Sequence, residues 1–291
     1  MSVVIVSSVK DPASTNIKER LLEQSTWDSV TSFDDNPVFL NSKIKDVYLV
    51  TIADRKIFRE NLDKEIENKL KLKTKKVIFI SKHTSEMKKP TLTVHPIGNY
   101  GEAKFGGKPN TLVKSAPLVM TDLLRIIKKN FRLTNLDYQV CFEVTHHGPY
   151  LQTPTLFAEI GSTEKEWNNK ESARIISQSI LDLLEKHQCE TDNLIEIPVL
   201  LGIGGGHYAP RFTDVIFEKK AAFGHMIPSY QINAGNIDDN ILEKAIDATP
   251  DLKGIYIHRK ALKKSQVTYY KNWFLNQGIP IISSKELAPL N

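Results

Sequence analysis

Short apolar runs at residues 3–9, 47–52, 77–80, 140–144, 197–203 and 254–257 punctuate this chain, each of a length that suits a buried strand. Longer stretches of helical period separate several of them. Residues 57–72 carry Phe58, Leu62, Ile66 and Leu70 at four-residue intervals, and residues 116–129 and 172–186 have similar spacing with charges on the remaining face. Strands that are apolar throughout must be covered on both sides, and the intervening helices can do so. The pattern predicts an α/β fold with a mostly parallel or mixed sheet and helices on both faces.

A chain of 291 residues lies near the upper end of one compact domain, and a single domain over residues 1–291 is expected. Hydrophobic residues at 41% suffice for a sizeable core. Residues 82–117 differ from the rest, with glycine-rich turns at Ile97-Gly-Asn-Tyr-Gly101 and Phe105-Gly-Gly-Lys-Pro109 and a short apolar strand at 92–94. They read as an irregular excursion of the kind that carries function.

The balance of 39 Lys+Arg against 34 Asp+Glu leaves a formal charge of +5, which tolerates a polyanionic partner without requiring one. Cys141 and Cys189 are far apart and outside any CxxC pattern, which argues against a disulfide framework or a thiolate zinc site and fits a reducing cytoplasm. The apolar N-terminus lacks the basic flank of a signal peptide, and no run approaches the roughly 20 apolar residues that span a bilayer. A cytoplasmic monomer without membrane contact is expected.

Candidate chemistry concentrates in Glu143-Val-Thr-His-His-Gly-Pro149 and the apolar segment that follows it, which holds Glu159. On an extended chain Glu143 and Thr145 share one side and His146 takes the other, while His147 is freed only as Gly148-Pro149 turns the chain, so the two imidazoles can diverge. Glu143 and Glu159 lie among apolar residues, where a carboxylate is costly unless it meets a cation, a metal or hydrogen-bond donors. The plainer alternative is a solvated carboxylate on the polar side of its strand. Farther on, Gly204-Gly-Gly-His-Tyr-Ala-Pro-Arg211 follows an apolar run, so that Gly204, Gly205 and Gly206 can expose backbone N–H groups and deliver His207 and Arg211 to a strand end. It is neither a dinucleotide fingerprint nor a P-loop. With His83 and His95, the histidines His146, His147 and His207 form a set suited to a metal site assembled across the sheet edge, whereas His187, His225 and His258 look structural.

Together with Ser81-Lys-His-Thr-Ser85, His95-Pro-Ile-Gly-Asn99 and Ala158-Glu-Ile-Gly-Ser162, these blocks resemble the archaeal and plant-type D-aminoacyl-tRNA deacylases. The resemblance spans roughly residues 47–213. It implies hydrolysis of the ester between a D-amino acid and the terminal adenosine of tRNA, zinc as cofactor, and a fold similar to phosphorylases and peptidyl-tRNA hydrolase.

Such a reaction needs an activated water and a stabiliser for the developing oxyanion. A zinc held by some of His83, His95, His146, His147 and His207 can lower the pKa of its water towards about 7, with Glu143 or Glu159 as base or ligand. The N–H groups of Gly204, Gly205 and Gly206 are candidates for the oxyanion. Lys104, Lys108, Lys114 and Arg211 are candidates for tRNA phosphates. Two alternatives stand beside this reading: a metal-dependent hydrolase or phosphorylase of a small molecule, and a non-catalytic RNA-binding module, for which exposed aromatics interleaved with Lys and Arg are not evident in the sequence.

Overall fold

The computed structural model describes residues 2–189 and 197–290. Its strands are β1 (Ser2–Ser8), β2 (Trp27–Phe33), β3 (Asn36–Asn41), β4 (Val47–Ile52), β5 (Thr74–Lys82), β6 (Thr91–His95), β7 (Gly98–Asn99), β8 (Thr111–Leu112), β9 (Gln139–Phe142), β10 (Thr155–Gly161), β11 (Val199–Ile203), β12 (Ala222–Ile227) and β13 (Leu252–Ile257). Its helices are α1 (Pro12–Gln24), α2 (Leu62–Leu70), α3 (Pro117–Phe131), α4 (Glu164–Trp167), α5 (Lys170–Cys189), α6 (Pro210–Glu218), α7 (Ser229–Asn233), α8 (Asp239–Asp247) and α9 (Lys264–Asn276). The expected mixed α/β architecture is present.

Eight strands form one sheet in the order β2-β3-β4-β1-β5-β10-β6-β9. Strands β4, β1, β5 and β10 run parallel, β6 turns antiparallel to β10, and β9 follows β6. Side chains alternate along each strand, so each face has its own core. Ile78, Ile80, Val94, Leu156 and Ala158 pack with residues of α1, α3 and α5 on one face. Val77, Phe79 and Phe157 pack with Leu62 and Ile66 of α2 on the other.

A second, all-parallel sheet has the order β12-β11-β13. Leu200, Phe223 and Met226 from it share a core with α3 and Phe212 of α6, and its opposite face packs against α8 and α9. Two backbone bonds tie it to the chain after β9: Val144 donates to the His207 carbonyl at 2.9 Å and Thr145 to that of Met226 at 3.1 Å. The two sheets therefore meet where the histidine-rich segments lie. Among the described residues, no helix is long and apolar enough to cross a membrane.

The continuous helix expected over 57–72 is broken. Asn61 adopts a left-handed backbone (φ 56°) and donates its N–H to the Tyr150 carbonyl at 2.8 Å, so α2 begins only at Leu62 after a short 3-10 turn at 56–58. Strand β2 escapes the apolar pattern because five of its seven residues are exposed on the hairpin at the sheet's edge. Its turn places Asp34 and Asp35 at φ 48° and 58°, the paired positive angles of a tight hairpin.

Candidate active site

The register of the large sheet assembles the polar residues. Glu159 of β10 lies opposite Ser81 of β5 and Thr93 of β6, and Phe157 lies opposite His95. Period-two alternation then puts Ser81, Glu159 and His95 on the face that α2 covers, and carries His83 and Glu143, just past β5 and β9, to the same side. The site is thus built on a sheet face rather than across the sheet edge. The reversal of β6 and β9 is responsible, since it brings strand ends of opposite direction together above the middle of β10.

Beyond Phe142 the chain leaves the ladder, and simple alternation no longer holds. His147 takes a left-handed backbone (φ 44°), and the His146 and His147 rings, which the sequence allowed to diverge, stand 4.4 Å apart. Glu143 and His146 likewise meet instead of facing apart, with Oε2 to Nε2 at 3.4 Å. His207 arrives from the loop after β11, with Nε2 3.1 Å from the same Glu143 oxygen. His83 Nδ1 lies 3.2 Å from Glu143 and 3.6 Å from Glu159, and His95 Nε2 lies 3.6 Å from Glu159.

Which nitrogens are free follows from their other partners. A carbonyl only accepts, so Nδ1–H must donate from His95 to Pro96 (3.1 Å), from His146 to Val144 (2.8 Å) and from His147 to Gly148 (2.6 Å). In the neutral imidazoles the Nε2 lone pair is then aimed into the cluster, the arrangement that backbone carbonyls impose on metal-binding histidines. A lone pair facing a carboxylate oxygen requires a proton or a cation between them. Both oxygens of Glu143 and Nε2 of His95 are buried without a well-aligned hydrogen bond, despite these short approaches.

Electrostatics shows the demand of the two carboxylates for positive charge beside them. Burial opposes charge on His83, yet Glu143 and Glu159 outweigh it and push the imidazolium up to about 11. His95 also moves up, since Glu159 overcomes its burial. Burial and the neighbouring His95 hold His146 well below its ordinary value and bring His147 to about 4, so both are neutral donors. Glu143 and Glu159 stay ionised although fully desolvated, because the surrounding imidazoles lower them.

Among the described residues, three groups have ligand atoms within 4.8 Å of one another: His95, His146 and His147; His83, Glu143 and His207; and His95, Glu143 and Glu159. Donors around a tetrahedral zinc stand about 3.3 Å apart, and the separations from His to Glu here are 3.1–3.6 Å. Nitrogen and carboxylate donors without thiolates suit a catalytic zinc. The residues fit the metal that the sequence resemblance implies.

A cleft of about 470 Å³ opens beside the cluster, lined by His83, His146, His147, Glu159 and His207. Its other wall was not singled out from the sequence and includes Lys10, Asp11, Arg55, Lys56 and Phe105. Asp11 caps α1 through the Ser14 N–H at 2.9 Å, and its second oxygen receives Lys56 Nζ at 2.7 Å, Lys82 N–H at 3.0 Å and Ser81 Oγ at 3.2 Å. An Asp-Pro pair directly after an apolar strand is a helix-start signal that could have marked it.

Other expected residues sit elsewhere. Gly204 and Gly205 already donate their N–H groups to Ile227 and Ser229, so they cannot meet an oxyanion. Gly206 is exposed. Arg211 is held by Tyr256 at 2.8 Å and Ser284 at 3.0 Å, Lys104 pairs with Glu102 at 3.3 Å, and Lys108 lies 3.8 Å over the Tyr150 ring. None of these three cations lines the cleft. Lys114 is exposed and likewise does not line it.

Comparison with known proteins matches residues 70–282 to the family model of D-aminoacyl-tRNA deacylase. The D-aminoacyl-tRNA deacylase of Pyrococcus furiosus is 38% identical over 260 residues, covering 88% of this chain and 90% of its own. That of Methanosarcina mazei is 34% identical over 98% of this chain and 93% of its own. A crystal structure described as a conserved protein of unknown function, AF0625, superposes with a TM-score of 0.87 at 28% identity, covering 98% of this chain and 96% of that one. By the family match and by identities sustained along most of its length, the chain belongs to the D-aminoacyl-tRNA deacylase family.

Proposed function

We propose that the protein hydrolyses the ester joining a D-amino acid to the terminal adenosine of tRNA, with zinc as cofactor, and so clears mischarged tRNA. The observation that carries this reading is the set of buried imidazole nitrogens and carboxylate oxygens that face one another without a proton-sharing geometry. His95, His146 and His147 would hold the metal, each fixed through Nδ1 by a backbone carbonyl, with His83, Glu143 and His207 as the adjoining group. Zinc bound there supplies Lewis acidity towards the ester carbonyl and the attacking water.

The chain's own groups do the rest. A carboxylate of Glu143 or Glu159 that is not engaged by metal accepts a proton from the water, as ionised buried carboxylates can. His207 reaches the cleft with about a third of its side chain exposed, and its Nε2 can pass a proton to the departing ribose oxygen. Lys56, buried beside Asp11 and lining the cleft, is placed to donate to the oxyanion in place of the occupied Gly204 and Gly205 amides. A free, buried Cys141 and a tRNA substrate support the cytoplasm as its place.

Exposure to a strong chelator should abolish hydrolysis of D-aminoacyl-tRNA, and zinc should restore it. A metal-free sample, confirmed by elemental analysis, that keeps full activity would replace zinc with a histidine general base at His146, His147 or His207.

A further inference from the structure

The Phe105 side chain is 63% exposed, yet it lines the cleft and belongs to a tightly built loop. At Gly106 (φ 76°) a Cβ would fall 1.5 Å from the Ile57 carbonyl oxygen, and at Gly148 one would fall 2.1 Å from the Gly107 nitrogen, so backbones here touch where no side chain fits. Gly148 donates to the Phe105 carbonyl at 3.1 Å, Asn99 Nδ2 to that of Gly106 at 2.9 Å, and the Gly107 N–H to Glu60 at 2.7 Å. A loop pinned on both sides of an exposed aromatic ring holds that ring ready for a partner, with its ordering entropy already spent in folding.

The neighbours indicate what kind of partner. Lys10 and Arg55 line the same cleft, are exposed, and have no carboxylate partner among the described residues. Arg55 lies 5.0 Å over the ring of Phe58, a second exposed aromatic. Aromatic faces interleaved with free cations are the usual surface for single-stranded nucleic acid, where bases stack and phosphates are neutralised.

Given the deacylase reading, on which this inference rests, the ester and the last base of tRNA share one ribose. A platform for that base must therefore lie in the same cleft as the groups that cleave the ester.

We propose that Phe105 is the stacking platform for the terminal adenine of the tRNA, with Arg55 and Lys10 placing the adjoining phosphates. Stacking does not read the base edge, so the platform orients the terminal nucleoside and leaves discrimination to the cluster side.

The test compares parent, Phe105→Ala and Phe105→Trp on D-aminoacyl-tRNA, on a D-aminoacyl-adenosine and on a D-amino acid methyl ester, beside equilibrium binding of an uncharged RNA minihelix ending in CCA. Phe105→Ala should lower kcat/KM on both nucleoside-bearing esters about 10- to 100-fold, change the methyl ester at most about twofold, and weaken minihelix binding, while Phe105→Trp keeps parental behaviour. An equal loss on the methyl ester would assign Phe105 to the acyl group, and unchanged tRNA hydrolysis and minihelix binding would leave it no role as a platform; either result overturns the proposal. If the parent hydrolyses no D-aminoacyl ester, the deacylase reading fails, and minihelix binding by the Phe105 variants still decides the platform.

Discussion

His225 is fully buried in β12, donating from Nε2 to the Val113 carbonyl at 2.9 Å and receiving the Thr145 hydroxyl on Nδ1 at 3.0 Å. Burial lowers it from 6.5 to about 4. Because the folded state prefers the neutral ring, its contribution to stability is complete above about pH 6.5 and is lost as pH falls from there towards 4, at up to about 1.4 kcal/mol per pH unit. Denaturant midpoints between pH 7.5 and 5 should show the parent losing about one proton's worth more stability than His225→Asn, and identical slopes would count against this assignment. Nothing in the local sequence placed His225 at a site, and the structure makes it a buried strut under Thr145. His207 belongs to the other class. His207→Ala should cut hydrolysis about a hundredfold or more at unchanged thermal stability, while His187→Ala, which loses only a contact with Asp122 at 3.3 Å among the helices, should leave activity near parental. Glu143 and the cluster histidines were legible because polar residues inside apolar runs demand compensation. Asp11 was legible only as a helix start before Pro12; Lys56 and Phe105 were not legible at all, since each sits in ordinary local sequence and gains meaning only from what folds against it.

Among the elements, the 105–107 loop shows how glycine converts sequence into placement. Gly106→Ala must displace either Ile57 or the loop, and should cost at least about 2 kcal/mol together with a fall in activity towards tRNA. Gly278→Ala, also at positive φ (74°) but with nothing within 4 Å, should cost only about 1 kcal/mol and leave activity intact. Urea titrations beside rate measurements check both, and equal costs would mean that the close approach of Gly106 to Ile57 carries no energy. The apolar strands and α3 and α5 could be read from period alone. The exposed β2–β3 hairpin and the break at Asn61 could not, because one is set by solvent on a sheet edge and the other by a long-range bond to Tyr150.

Across the whole molecule, alternation of apolar runs and amphipathic stretches was enough to predict an α/β sheet, but not that β6 and β9 reverse. That reversal moves the site from the sheet edge to a sheet face and lets the second sheet close over it through Val144 and Thr145. Strand direction depends on long-range pairing, to which residue period is blind. The role proposed for this face is cleavage of the ester in D-aminoacyl-tRNA. It is tested most directly by timing the release of amino acid from tRNA charged with the D and L forms of one amino acid, using the parent and Glu143→Gln at matched thermal stability. Release should be rapid from the D form and slow from the L form, and Glu143→Gln should slow it on the D form about a hundredfold or more. Equal rates for the two forms, or a Glu143→Gln variant as fast as the parent, would contradict it.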